Sequence, residues 1–141
     1  MATMILANAA VTGSHGYAQR IVTTAGHEFA ADEPERRGGT NTGAAPFDLM
    51  LGSLGACTAI TLRMYADRKA WKLGTIGVEL RLLKEGEGPL RIERKISVSE
   101  EIDEEQQSKL LEIADKTPVS KALGAGVPIQ TVFDTSTQPA R

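Results

Sequence analysis

Hydrophobic and polar positions fall into short alternating runs up to about residue 32, then one long helical block. An alternating pair of runs follows, then two more helices and a last apolar run. The β-rich runs Thr3 to Val11 and Tyr17 to Thr24 are separated by Thr12-Gly13-Ser14. After Ala25-Gly26, His27 to Ala31 reads as a third strand, so residues 3–32 form a hairpin or small meander. Residues 33–45, entered through Asp32, are charged and glycine-containing, with no large apolar side chain. They read as a loop, either functional or a flap without a role.

Pro46 suits the first turn of a helix, where a missing N–H costs nothing. The block to Lys69 is rich in Leu, Met and Ala, and Met50, Ser53, Leu54, Cys57, Ile60, Thr61 and Met64 form one stripe at three- and four-residue steps. Leu49, Leu51, Ala56, Ala59 and Leu62 lie on the other side. A helix apolar nearly all round is enclosed, and a chain of 141 residues has limited cover to offer it. A partner subunit is the expected source of the rest. Gly52, Ser53, Gly55, Ala56 and Ala59 would allow close approach between helices.

Leu73 to Leu83 alternates, with Ile76, Val78, Leu80 and Leu82 on one face, and Leu90 to Val98 places Ile92, Ile96 and Val98 among charges. The two should pair as an antiparallel hairpin across the turn at Lys84 to Pro89. Asp103 and Gln106 form a capping box for a helix to about Asp115, supported by Glu105–Lys109 and Glu112–Lys116 pairs. Thr117 caps a short helix opened by Pro118 and ended near Gly124-Ala125-Gly126. Val127 to Phe133 reads as a last strand and Asp134 to Arg141 as a polar tail. The C-terminal part, about 73–133, is thus β-β-α-α-β. The whole is a single α+β domain spanning 1–141, an order that excludes a doubly wound parallel sheet.

Charge and composition narrow the function classes. With 16 Lys+Arg against 18 Asp+Glu the net charge is -2, which argues against a nucleic-acid surface. Arg63, Arg68, Lys69 and Lys72 read as a solvated helix end. Unbroken apolar stretches fall short of the roughly 20 residues of a membrane span. Met1-Ala2-Thr3-Met4 does not begin a signal peptide. The expectation is a cytoplasmic protein with no nucleic-acid or membrane partner. Trp71, Tyr17 and Tyr65 are too few for a stacking platform.

The lone cysteine, Cys57, excludes an internal disulfide and a multi-cysteine zinc site. His15 and His27 match no metal spacing, and Gly38-Gly39 with Gly43 match neither a dinucleotide fingerprint nor a phosphate loop. Neither metal nor cofactor is expected. No nucleophile elbow accompanies either histidine. Cys57 is the one soft nucleophile, and two readings of it stand: a small hydrophobe in the core, or a reactive thiol activated from elsewhere in the fold or from another subunit. His27, Glu33, Arg36, Arg37 and Asp48 surround the loop that leads into its helix. Asp48 either favours the helix dipole or orients a cationic group that supports a thiolate. It lies nine positions before Cys57, about 13 Å along a straight helix, too far for a direct bond.

Several segments together resemble the OsmC/Ohr superfamily of osmotically induced and organic-hydroperoxide-resistance proteins, the YhfA-like branch of OsmC more than Ohr. They are Gly26-His27-Glu28-Phe29 with Asp32-Glu33-Pro34, Gly38-Gly39 through Pro46, Leu51 to Ala66 around Cys57, Arg68 to Trp71, and Asp115 to Leu123. The resemblance implies an OsmC/Ohr-like fold in which antiparallel sheets wrap long central helices in an intertwined homodimer. It further implies thiol-dependent reduction of hydroperoxides. By resemblance, Cys57 stands at the peroxidatic position and Asp48 replaces a glutamate. By the same resemblance His27 falls near the activating arginine, and Arg36 or Arg37 is the substitute the loop offers. Where the family's second motif reads Cys-Pro-Val, this chain reads Thr117-Pro118-Val119. A two-cysteine cycle within one subunit is therefore impossible, which leaves a one-cysteine peroxidase with an external thiol as resolver. The alternative is a non-catalytic small-ligand-binding or stress-associated relative with Cys57 as a core residue.

Overall fold

The computed structural model describes residues 2–135; Met1 and the end of the expected polar tail, 136–141, lie outside the described residues. Among the described residues the chain divides into two compact units. One comprises residues up to Leu49 together with 131–135, and the other Met50–Gln130.

The first unit holds a three-stranded antiparallel meander in the order β1 (Ala9–Thr12), β2 (Gln19–Thr23), β3 (Glu28–Ala31). Its register pairs Ala9 with Thr23 and Ile21 with Phe29. The expected first strand began at Thr3, but the observed one begins at Ala9. β2 ends at Thr23, where the chain turns through Gly26 (φ 90°) with the Thr23 N–H donating to the His27 carbonyl at 2.9 Å. A strand needs a ladder opposite it, and here the ladder stops with its shorter partner.

The loop after β3 contains a single 3₁₀ turn, Glu35–Arg37, closed by Gly38 in the left-handed region. A Cβ on Gly39 would run into the Glu33 carbonyl, and one on Gly43 into the Ala30 carbonyl. Both glycines are thus required by close backbone approach rather than by flexibility.

The helix α1 (Pro46–Lys69) has the expected bounds. Its opening residues to Leu49 belong to the first unit and the remainder to the second. The second unit adds β4 (Ile76–Lys84), β5 (Leu90–Val98), α2 (Glu104–Ala114) and α3 (Pro118–Ala125). β4 and β5 pair antiparallel from Ile76 opposite Val98 to Lys84 opposite Leu90. Their core is Leu62, Ala66, Leu73 and Leu110, with Trp71, Ile76, Ile96, Val98, Ile102 and Ile113 packed around it.

The buried row of α1 is Leu54, Thr58, Leu62 and Ala66, one residue per turn. Within the single chain the expected stripe is not the covered one. Of its members only Leu54 is buried, Cys57 is half-buried, and Ile60 (55%) and Met64 (57%) are exposed in the single chain. A polar residue holds the central place because its hydroxyl is bonded. Thr58 Oγ1 donates to the Leu54 carbonyl at 2.7 Å, an i−4 back-bond that lets a threonine sit inside. Among the described residues α1 is also the one helix long and apolar enough to cross a bilayer by length and composition (hydropathy 1.3). A core helix passes the same test.

The capping box of α2 is present: Gln106 N–H donates to Asp103 Oδ1 at 2.8 Å, and Asp103 N–H to Gln106 Oε1 at 3.0 Å. Lys116 pairs with Glu112 as expected (3.1 Å), whereas Lys109 also turns to Glu112 (3.6 Å) and not to Glu105. The last expected strand, Val127 to Phe133, is not one. Residues 126–135 carry no regular structure, and Ile129, Val132 and Phe133 are almost fully exposed. Their apolar pattern suits a strand, but no neighbouring backbone completes a ladder among the described residues.

Candidate functional site

The second unit places a polar cluster on Thr58, the residue after Cys57. β5 alternates inward Ile92, Ile96 and Val98 with outward charges, and Arg94 shares the inward parity. Its side chain is 15% exposed. A buried cation is tolerated only with partners, and Arg94 has three. Nη1 donates to Thr58 Oγ1 at 2.9 Å and to Ser120 Oγ at 2.8 Å, while Nη2 donates to Asp115 Oδ1 at 3.1 Å. Asp115 is 84% exposed, so that ion pair is largely screened. The two hydroxyls are the specific partners.

The cluster continues into the start of α3. Ser120 Oγ donates to the Ala114 carbonyl at 2.9 Å, and the Thr117 and Ser120 hydroxyls lie 2.6 Å apart. Thr117 is 1% exposed. It occupies the N-cap position as expected, but its side chain makes no capping bond to the helix N–H groups. Its hydroxyl is spent on Ser120 and, at 3.4 Å, on the Ala114 carbonyl. One guanidinium thus joins Thr58, the residue after Cys57, to the turn at Thr117-Pro118-Val119. α1 also approaches β4 closely, since a Cβ on Gly55 would lie 2.9 Å from Leu80 Cδ1.

In the first unit the loop before α1 is pinned by Asp32, which is 2% exposed. Its carboxylate accepts five hydrogen bonds, from the Glu33 N–H (2.7 Å), the Thr40 N–H (3.1 Å) and hydroxyl (2.6 Å), and the Thr42 N–H (3.1 Å) and hydroxyl (2.8 Å). The Thr40 hydroxyl first, then the Thr42 N–H, hold this carboxyl well below the usual carboxylate range, against the opposing effect of burial. The loop is a folded object, not an open flap.

The expected site residues lie as follows. Cys57 is half-buried mid-way along α1, and its thiol has no hydrogen-bond partner among the described residues. Asp48 is exposed in the first turn of α1. His27 is exposed at the end of the turn between β2 and β3, its N–H donating to Thr23 Oγ1 at 3.2 Å. Arg36 and Arg37 are exposed in the 3₁₀ turn. The side chains of Asp48, His27, Arg36 and Arg37 make no hydrogen bond or ion pair among the described residues. Sequence reasoning did not single out Thr58, Arg94 or Ser120. The signal for Arg94 was its parity, a charge between Ile92 and Ile96 on the apolar face.

Two other places could have held a ligand. A groove on the hairpin is lined by Glu79, Arg81, Glu93, Arg94 and Lys95. Arg81 is ion-paired to Glu93 across the strands and Glu79 is the register partner of Lys95, so opposite charges offset one another along this face. Among the described residues no three His, Cys, Asp or Glu side chains gather in a way that could hold a metal ion.

Comparison with known proteins bears on the same elements. A protein of Psychrobacter arcticus assigned to osmotic stress induction and detoxification response superposes with TM-score 0.72 at 20% identity, covering 86% of this chain and 90% of that one. The OsmC-like protein of Mycoplasma pneumoniae gives TM-score 0.68 at 16% identity, covering 88% and 89%. Organic hydroperoxide resistance protein OhrB of Bacillus subtilis gives 0.57 at 24%, covering 84% and 90%. These likenesses show a shared fold. No curated protein matches the chain. The OsmC-like protein family matches residues 39–132, a stretch that takes in the end of the Asp32 loop, the cysteine helix and the Arg94 cluster. By that match the chain belongs to the OsmC-like family.

Proposed function

We propose that this protein is a thiol-dependent peroxidase of one-cysteine type that reduces organic or inorganic hydroperoxides through Cys57. The observation that carries the reading is the placing of the only thiol. Cys57 stands half-exposed on the central helix of an OsmC-like chain, outside the fully buried row of Leu54, Thr58, Leu62 and Ala66. A core cysteine would be expected in that row. Relatives of the same fold include proteins described by organic hydroperoxide resistance.

In the proposed reaction the Cys57 thiolate attacks one peroxide oxygen. An S–O bond forms, the O–O bond breaks, and the other oxygen leaves as an alcohol or water after taking a proton. Cys57 becomes a sulfenic acid. An external thiol then condenses with it, releasing water and giving a mixed disulfide, and a second thiol frees reduced Cys57 as the external pair becomes a disulfide. The external resolver is required because Thr117 has a hydroxyl where a second thiol would act. Asp48, with His27, Arg36 or Arg37, is the proposed source of proton and charge assistance, delivered within the chain or from a second copy.

The reading includes a cytoplasmic homodimer. Its support is the other side of α1, where Ser53, Ala56, Ile60 and Met64 are exposed in the single chain at helical spacing. A mass in solution corresponding to two chains is expected, and a monomer at micromolar concentration would overturn that part.

The catalytic test is exposure of the folded chain to cumene hydroperoxide with dimedone present, followed by intact-mass analysis. One adduct on Cys57, turnover with a small thiol, and loss of both in Cys57→Ser are expected. No oxidation at modest peroxide excess would favour the second reading, a non-catalytic ligand-binding relative. Thr117, whose hydroxyl is locked in the core in place of a thiol, is the observation on that side.

A further inference from the structure

We infer that Arg94 is a positioning residue for the Cys57 site, locking the rotation of α1 and the start of α3 in one arrangement. The inference rests on the reading of Cys57 as the reacting thiol and goes beyond it.

The argument begins with what else could fix the cysteine turn. Apolar burial is non-directional and sets how close a helix lies more than how it is rotated. Around Cys57 the neighbouring positions are small: Gly52, Ser53, Gly55, Ala56 and Ala59. The buried row offers Leu54 one turn before Thr58 and Leu62 one turn after, with Thr58 itself polar between them. A hydrogen bond, by contrast, prefers a direction. The Thr58 hydroxyl donates to Leu54 O and accepts from Arg94 Nη1, so both its donor and one acceptor position are committed. Successive residues of an α-helix are about 100° apart around its axis, so fixing the direction of Thr58 fixes that of Cys57 as well.

The same Nη1 bonds Ser120, and Ser120 bonds Thr117 and the Ala114 carbonyl. Arg94 therefore couples the cysteine turn to the start of α3 through hydroxyls. The fork geometry matters. Nη1 serves two hydroxyls while Nη2 serves Asp115, an arrangement that a lysine ammonium on a flexible stem cannot reproduce.

The test uses the full chain with two reactions of Cys57 measured side by side: oxidation by cumene hydroperoxide, which needs a defined approach, and alkylation by iodoacetamide, which needs only access. Thr58→Val keeps the shape and removes the hydroxyl, Thr58→Ser keeps the hydroxyl, and Ser120→Ala cuts the α3 side of the fork. Thr58→Val and Ser120→Ala should slow oxidation by about tenfold or more, a misplacement effect, with alkylation unchanged. Thr58→Ser should restore the wild-type oxidation rate. Parallel changes in the two rates, or no change in either, would overturn the inference and leave the peroxidase reading standing. An unreactive wild-type thiol would instead remove both. Should Thr58→Val not fold, the ratio of rates in Ser120→Ala decides the matter.

Discussion

Arg94 on β5 donates to the hydroxyl of Thr58 on α1 at 2.9 Å, a polar bond in the row otherwise filled by Leu54, Leu62 and Ala66. Removing the hydroxyl costs more than the bond contributes, because one Arg94 N–H loses its acceptor in a part-buried place while the bonds to Ser120 and Asp115 remain. Thr58→Val should therefore lower stability by about 1–3 kcal/mol. A shift of the urea midpoint without a change in slope is the measurement, and an unshifted midpoint would count against a buried, committed hydroxyl.

Asp32 gives the chain a specific acid response. Its folded pKa is depressed, so its contribution is fully present above the ordinary aspartate value of about 3.9 and is lost as pH falls below that value. Asp32→Asn should remove this part of the acid dependence and weaken the loop at every higher pH. Proteolysis between Glu33 and Ala45 reports it, with faster cleavage expected in the variant at neutral pH and a smaller difference between neutral and acid samples.

Gly55 faces two opposing effects. A side chain there improves helix propensity by about 1 kcal/mol in the case of alanine. The added Cβ would stand 2.9 Å from the terminal Leu80 Cδ1, which must give way. A single leucine methyl can rotate, so Gly55→Ala should be close to neutral. Gly55→Val adds bulk that cannot, and overpacking of about 1–3 kcal/mol should win. Thermal unfolding of the two variants distinguishes them, and equal melting points would refute a close α1–β4 contact.

Ile60 and Met64 test the dimer separately from the thiol chemistry. In the single chain both are more than half exposed, so Ile60→Glu should leave the monomer fold intact by far-UV circular dichroism. Sedimentation should then show a shift from two chains toward one. A variant with the wild-type mass would place the dimer contact elsewhere.

Much of the fold was legible because its signals are local. The bounds of α1 follow from Pro46 and the Leu-rich block, the capping box from Asp103 and Gln106, and the hairpin from alternation on both strands. Failures arose where a partner element decides the outcome. Thr3 to Ala7 looks like strand, but β2 ends too soon to pair with it. Val127 to Phe133 alternates without a backbone beside it. The site was legible in part. Cys57 was singled out by being the only thiol, whereas Thr58 and Ser120 were hidden because a hydroxyl carries no signal of burial until its acceptors and donors are known. Arg94 could have been read from parity alone, as a charge that a strand turns inward between Ile92 and Ile96.

The burial of Thr117 decides what a thiol placed at this position would meet. Its hydroxyl closes a network with Ser120 and the Ala114 carbonyl, and a thiol is a much weaker donor and acceptor in that place. Thr117→Cys alone would weaken the contact with Ser120, while Ser120 kept its bonds to Arg94 and the Ala114 carbonyl. A thiol introduced at this position would therefore enter a site already closed by hydroxyl bonds, and would gain any reactivity only by loosening them.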